Sequence, residues 1–282
     1  MGADIKANRE PLLMVDREKC SGCAACLEVC PMGLIALDSG GFPMEAGDRE
    51  MPCMGCGHCV AVCPLDAMEH TASPLEDSPV VPRELLPSAE QVSWLLKSRR
   101  SIREFKQRPV EEEKITELIR TASCAPSGAN VQPVEWIVVN RPETMDCVRE
   151  VTLEWIKELV RQQHELVRNI PVERYLRDME GGKDRLLRGA PALVIAKADK
   201  NSIHTRQDIE IALSYFEIAA ASQGLGTCWL AQVARVIQFY PPMRELLGMS
   251  DDDEYYFSML LGYPKYTYRR VPKRREPRIS FM

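Results

Sequence analysis

The legible alternation of apolar and polar positions begins beyond residue 87. Ser88 followed three residues later by Gln91 forms a capping box, and Val92, Leu95 and Leu96 recur behind it at helical spacing. EEEKITELIRTAS puts Ile115, Leu118, Ile119 and Ala122 on one helical face. The apolar run WIVV, ending at Val139, and the longer YYFSMLLGYP, residues 255 to 264, predict buried strands, the second closing in a turn. From Thr144 to Arg188 the chain is charged and helical in pattern, with a break at Gly181-Gly182.

Ahead of these elements stands ASPLEDSPVVPRELLPSAE, with Pro74, Pro79, Pro82 and Pro87 close together. Such a stretch forms neither a helix nor an interior strand, so it predicts an extended, semi-rigid connector. The expected organisation is a first domain over 1–72, a linker over 73–87 and a second domain over 88–282.

Composition supports two folded bodies: 282 residues with 45% hydrophobic content can bury a sizeable core. No run approaches the roughly eighteen apolar residues of a membrane span, and MGADIKANRE lacks the apolar core of a secretory signal. The expectation is a cytoplasmic protein without a membrane partner. A formal charge of -5 argues against a nucleic-acid partner, although basic residues concentrate in RRSIR (99–103) and RRVPKRREPR (269–278). Both clusters call for a local explanation.

Eight of the eleven cysteines fall in the first quarter, in CSGCAACLEVCP and again in CMGCGHCVAVCP. A disulfide framework does not suit a long chain with no secretory signal, and zinc pairs place a longer spacer between two CxxC units. The spacing C-x2-C-x2-C-x3-C-P, written twice, resembles bacterial 2[4Fe-4S] ferredoxins over residues 1–72. The resemblance implies two [4Fe-4S] clusters with exchanged fourth ligands. Cys20, Cys23, Cys26 and Cys63 would hold the first, and Cys53, Cys56, Cys59 and Cys30 the second. Gly22, Ala24, Ala25, Gly55 and Gly57 would let backbone N–H groups approach the sulfurs, while LIALDSGGFPMEAG and AMEHTAS would supply short strands. His58 lies inside the second loop, where four cysteines already serve as ligands.

In RRSIREF, an extended backbone turns Arg99, Ser101 and Arg103 to one side, the arrangement of a phosphate clamp; a solvated basic helix end is the bland alternative. After the next helix comes APSGANVQPVEWIVV, and the two stretches together resemble the FMN-dependent nitroreductase family over about residues 88–282. The resemblance implies FMN held by Arg99, Arg100, Ser101 and Arg103 at the phosphate and ribityl chain. Pro126, Ser127, Gly128, Asn130 and Gln132 would meet the flavin edge and ribityl hydroxyls. Two residues, Val134 and Glu135, stand here between the QP pair and Trp136. DIEIALSYFEIAAASQGLGTCWL, residues 208–230, is similar to the family's long central helix. Gly224 and Gly226 would permit its sharp exit and lay the backbone of Trp229, Leu230 and Ala231 against flavin N5. Lys273 and Arg275 match the basic pair that closes on the phosphate.

The implied fold is α+β: a small 2[4Fe-4S] ferredoxin-like domain, then a nitroreductase-type α/β sandwich whose central, mostly antiparallel sheet is flanked by helices. The implied activity is oxidoreduction, with two clusters feeding FMN and a small organic acceptor, nitroaromatic or quinone, receiving the electrons. No side chain is assigned a catalytic role beyond the backbone near Leu230 and Ala231. The donor stays open between an external ferredoxin-like protein and NAD(P)H, and a homodimer with FMN at its interface is expected. A non-catalytic electron-transfer module serving a partner protein is the alternative, and a redox sensor a more remote one. The 144–188 segment reads either as a lid or as helices covering the sheet. His164 reads as solvated and Tyr175 as packed, Cys124 and Cys228 as small buried hydrophobes. The sequence assigns nothing to His70 or His204.

Overall fold

The computed structural model describes residues 11–46, 52–167, 172–200 and 204–282. Two compact units divide between Leu86 and Pro87.

The first unit is a pair of similar halves. β1 (Leu13–Val15) leads through the first cysteine loop to α1 (Ala25–Glu28), then β2 (Ile35–Leu37) and β3 (Pro43–Glu45); the second loop leads to α2 (His58–Ala61) and β4 (Met68–His70). β1 pairs antiparallel with β4, placing Val15 opposite Met68 and Leu13 opposite His70, and β2 pairs with β3. The expected short strands therefore form. Gly22 and Gly55 share positive φ, as do Ala24 and Gly57, which directly precede α1 and α2. Each left-handed residue turns the chain so that the helix starts on the loop that carries the thiols. The core is small: Cys26, Ile35, Cys59, Val60 and Met68, with Leu13, Val15 and Leu75 packed against it.

The proline-rich stretch is not extended throughout. It contains single 3-10 turns at Leu75–Asp77 and Arg83–Leu85, and its start is tied to the first unit by Leu75 N–H donating to Glu69 Oε1 at 2.9 Å.

The second unit opens with α3 (Ala89–Ser98), whose capping box forms: Ser88 Oγ accepts from Gln91 N–H and Gln91 Oε1 from Ser88 N–H. Its apolar stripe is not buried, however, with Val92 and Leu96 exposed and Trp94 56% exposed. Next come α4 (Glu112–Ala122), β5 (Glu135–Val139), α5 (Pro142–Arg161), α6 (Val172–Glu180), β6 (Ala192–Ala198), α7 (Thr205–Ser222), β7 (Gly226–Trp229), α8 (Ala231–Phe239), α9 (Pro241–Leu246) and β8 (Tyr255–Gly262). The strands form one antiparallel sheet in the order β5-β6-β8-β7.

Both faces of that sheet are covered, which explains why β6 reads as an almost unbroken apolar run. Leu193 and Ile195 face a core with Met145, Val148 and Trp155 of α5, Val236 and Ile237 of α8, and Met243 of α9. Val194 and Ala196 face the other core, with Ile115 and Leu118 of α4 and Ile209, Leu213 and Phe216 of α7. Period-two alternation thus divides the strand between two layers of helix. The start of the 144–188 segment, α5, is a sheet-covering helix. No helix among the described residues is long and apolar enough to cross a membrane.

The left-handed loop positions yield a stability prediction. A Cβ on Gly57, at φ +68°, would lie 2.5 Å from Ser73 Oγ. Gly57→Ala is expected to lower the stability of the first unit by about 1–3 kcal/mol. Ala24→Gly, at the matching position in the first half, should leave stability unchanged or raise it. Guanidinium midpoints of the full chain, read by far-UV circular dichroism, check both.

Candidate functional site

In the first unit, all eleven cysteines of the chain being free thiols, the eight clustered ones sort into two cradles. Cys20, Cys23, Cys26 and Cys63 line one cavity with Val15, Pro43 and Met68. Cys30, Cys53, Cys56 and Cys59 line another with Leu13, Ile35 and His70. Each loop therefore gives three thiols to its own cavity and its fourth to the other. Among the described residues no three His, Cys, Asp or Glu side chains converge as ligands of a single ion would. Four thiols line each cavity, the number that a [4Fe-4S] cage takes as ligands.

Backbone N–H groups reach the sulfurs as well. Leu34 N–H donates to Cys30 Sγ at 3.4 Å and Ala67 N–H to Cys63 Sγ at 3.2 Å, so the two exchanged cysteines have matching donors four residues on. Gly55 N–H donates to Cys53 Sγ at 3.4 Å. Burial pushes the Cys26 and Cys59 thiols up, and the neighbouring cysteines push the same way. Iron bound as thiolate ligands require would offset that penalty. His58 is exposed at the rim of the second cavity, with its Nδ1 3.3 Å from the Cys56 carbonyl oxygen.

In the second unit, RRSIREF runs beside the sheet edge. Ser101 bridges Thr227 of β7, Ile102 N–H donates to Thr227 O at 2.8 Å, and Ile102 and Phe105 are buried. Gly226 makes this approach possible, since a Cβ there would lie 2.9 Å from Ile102 Cβ. Its role is close packing, and the helix exit belongs to Gly224 alone. At φ +73°, Gly224 donates to Ala221 O while Leu225 N–H donates back to Ala220 O, the paired bonds of a Schellman cap.

Arg99 is engaged by Glu217 of α7, a buried carboxylate. Arg99 Nη1 lies 2.7 Å from Glu217 Oε1, which also accepts from Thr227 Oγ1 at 3.1 Å, while Oε2 accepts from Trp229 Nε1 at 3.2 Å. Arg100 and Ser101 are half-buried and Arg103 is exposed. The last segment leaves the sheet next to this stretch, through the Phe105–Pro264 bridge and Lys265 N–H donating to Glu104 O. Its Lys273 and Arg275 are exposed. None of Arg100, Arg103, Lys273 and Arg275 has an ion-pair partner among the described residues, and such unpaired cations fit a phosphate dianion.

The loop carrying Pro126, Ser127, Gly128, Asn130 and Gln132 stands elsewhere. Gly128 N–H donates to Asp208 Oδ1 at 3.0 Å in the first turn of α7, and Gly128 packs on His204. Gln132 N–H donates to Ser127 Oγ at 2.9 Å and its amide to Asn130 Oδ1 at 3.2 Å. Ala129, Asn130 and Gln132 all have positive φ, a concentration of strain that folds hold chiefly at binding loops. Beside the loop is a cavity lined by Ser127, Gln132, Trp136 and Asp208. Trp136 Nε1 and Asp208 Oδ2, on two of the residues that line it, are buried without hydrogen-bond partners.

Asp208 and Glu217 are nine residues apart on α7, roughly 14 Å along its axis. The RRSIREF group and the Ser127 loop therefore flank opposite ends of one helix, and one chain does not bring them together.

The remaining expected contacts divide. Leu230 is buried and its backbone is already used: its N–H donates to Ser258 O at 2.9 Å and its carbonyl accepts from Ser258 Oγ at 2.7 Å. Ala231, exposed at the first position of α8, is the residue of this stretch open to a ligand. Trp229 is half-buried against Phe257, with ring centroids 5.4 Å apart. Cys228 is buried as expected, whereas Cys124 is exposed, since it follows the last turn of α4 at the surface. His164 is exposed. His70, to which the sequence gave no role, is 2% exposed, and its Nε2 lies 3.4 Å from Cys53 Sγ.

A flavin-type α/β sandwich preceded by a two-cradle cysteine domain is the class these features define. Residues 96–263 match the nitroreductase family and residues 19–68 a 4Fe-4S dicluster domain. The chain belongs to the nitroreductase family, and it is a fusion of that domain with a ferredoxin-type one.

An iodotyrosine deiodinase from Danio rerio is 26% identical over 195 residues, covering 64% of this chain and 62% of the relative. This chain thus matches somewhat less than two thirds of that relative's length. A putative NADH dehydrogenase/NAD(P)H nitroreductase from Archaeoglobus fulgidus is 26% identical over 181 residues, covering 62% of this chain and 87% of the relative. Among solved structures, an FMN-bound nitroreductase from Bacteroides fragilis shares the fold at a TM-score of 0.54 and 20% identity, over 68% of this chain and 98% of that one.

Glu217→Ala would leave the Arg99 guanidinium, the Thr227 hydroxyl and the Trp229 indole without their shared acceptor. A loss of about 3 kcal/mol is expected, at the low end for a broken buried pair because Arg99 keeps some solvent. Thermal unfolding of the full chain checks it, and Glu217→Gln, which keeps an acceptor, should cost less.

Proposed function

We propose that this chain is an FMN-dependent oxidoreductase in which two [4Fe-4S] clusters take up electrons singly and a small organic acceptor receives them at the flavin site. The observation that carries the proposal is the crossed sorting of eight cysteines into two four-thiol cradles in a chain that continues into a nitroreductase domain. FMN, when bound, supplies the exchange between one-electron and two-electron chemistry. An external reductant, a ferredoxin-like protein or NAD(P)H, is the electron source.

The chain's own residues bind and orient. Arg100, Arg103, Lys273 and Arg275 offer cationic donors to a phosphate, and Ser101 a hydroxyl beside them. Arg99 donates through Nη1 to Glu217 and keeps its Nε and Nη2 groups for the same ligand, its orientation fixed by that pair. The Ser127 loop presents Asn130 and Gln132, and the Trp136 donor and Asp208 acceptor suit the polar edge of a planar heterocycle. Ala231 N–H, in the first turn of α8, points its dipole at developing negative charge.

A homodimer completes the arrangement. With the two groups separated along α7 within one subunit, a second copy would supply its Ser127 loop to the cationic group of the first. The exposed apolar positions of α3, Val92, Trp94 and Leu96, are candidates for burial in that contact. Free thiols throughout suit a cytoplasmic setting.

Two experiments test this reading. Cys63→Ala is expected to deplete the cluster held by Cys20, Cys23 and Cys26 and to spare that of its own loop. Iron and sulfide content with EPR distinguishes the two, and loss of the other cluster's signal would contradict the crossed sets. In anaerobic stopped-flow mixing, chemically reduced protein should be reoxidised by nitroaromatic or quinone acceptors well above the buffer rate. Reoxidation no faster than in buffer would remove the enzyme reading in favour of a carrier that serves a partner protein.

A further inference from the structure

The two halves of the first unit match in loop geometry and in the backbone donors to Cys30 and Cys63, whereas Cys53 receives the Gly55 N–H and, beyond it, a side chain. Cys20 and Cys53 hold equivalent places, each the first thiol of its loop. Cys20 Sγ has no side-chain donor among the described residues. Cys53 Sγ has the imidazole of His70 at 3.4 Å.

The tautomer follows from the other ring nitrogen. Ala72 N–H donates to His70 Nδ1 at 2.9 Å, and a backbone N–H can only donate. Nδ1 is therefore the acceptor, and the ring proton sits on Nε2, directed at the Cys53 sulfur. The ring has little freedom, being 2% exposed on a strand paired to β1. One strand makes the difference between the cradles. β4 turns Met68 into the first and His70, two residues on, into the second, so one receives a thioether and the other an N–H donor. The position matching His70 in the first half, thirty-three residues earlier, is Leu37, which is exposed and carries no donor.

We propose that His70 is a potential-setting residue, whose Nε2–H donates to the Cys53 sulfur and raises the reduction potential of the cluster held by Cys30, Cys53, Cys56 and Cys59 above that of its neighbour. The inference rests on the reading that each cradle holds a [4Fe-4S] cluster. Its physical basis is differential: the reduced cluster carries one more negative charge spread over its sulfurs, so a hydrogen-bond donor there stabilises the reduced form more than the oxidised. Two clusters held in nearly duplicate loops would thereby differ in potential, the one beside His70 being the more readily reduced. His70 acts through Cys53 and is a positioning residue.

The test is an EPR-monitored redox titration of the full chain, loaded anaerobically with iron and sulfide, in three forms. The unaltered protein is expected to show two midpoints. His70→Leu should shift the higher one downward and leave the lower in place, while His70→Gln, which keeps a side-chain N–H, should recover part of the shift. Unmoved midpoints in a fully loaded His70→Leu protein would overturn the inference while leaving the cluster reading intact. Should His70→Leu fail to assemble, pulsed EPR on the unaltered, reduced protein labelled with 15N-histidine decides instead. Histidine nitrogen coupling to one cluster signal is expected, and its absence overturns the role given to His70. Iron and sulfide analysis showing no cluster in the second cradle would overturn this inference and the cluster reading together.

Discussion

The carboxylate of Glu217, buried in α7, accepts from Arg99 at the end of α3 and from Thr227 and Trp229 on β7. A buried charge of this kind persists only when its partners are all in place, so it fixes three elements at one point. The consequences extend outward. Arg99 is held with part of its guanidinium free, RRSIREF is drawn along β7, and the chain's last segment leaves the sheet beside it. Gly226 allows the close approach that the carboxylate anchors, so the geometry of the cationic group is determined jointly by an interaction and by an absent side chain.

The same helix sets a limit on what one chain can do. α7 carries Asp208 near its start and Glu217 near its end, and each ties down one of the two groups of candidate cofactor residues. A rigid helix core, with Leu213 and Phe216 fully buried beneath the sheet, cannot shorten that distance. The separation of the two groups along α7 is a consequence of helix rise and packing density. It also gives a use for an otherwise costly feature, the three left-handed residues of the Ser127 loop, which hold its polar side chains in one fixed presentation.

In the first unit, duplication does the corresponding work. Two short loops too small to build a core alone share one, and the cysteines make up much of it. So small a core gives a domain of this size little stability of its own, so the placing of the cysteines and the fold are a single problem. Near-symmetry keeps the two cradles alike, and the individual residues that break it, Met68 and His70 on one strand, are where the two can be made to differ.

Much of this was legible in the sequence because it is encoded locally. The cysteine spacing, the capping box at Ser88, the face of α4 and the apolar runs of β5 and β8 each depend on residues within a few positions of one another. The exchange of the fourth cysteines was implied by the resemblance of the doubled motif to bacterial 2[4Fe-4S] ferredoxins, and Cys63 and Cys30 each line the cavity of the other loop. What only the tertiary structure decided were contacts between residues distant in the chain: Arg99 with Glu217, Gly128 with Asp208, Gly226 with Ile102, His70 with Cys53. The sequence by itself determined which chemistry each half of the chain can perform, since residue types and short spacings set that. Which donors are already spent, as at Leu230, which remain free, and which cradle receives a histidine were left to the packing of strands and helices, because a hydrogen bond or an ion pair forms where the fold puts its partners and not where the sequence spells them.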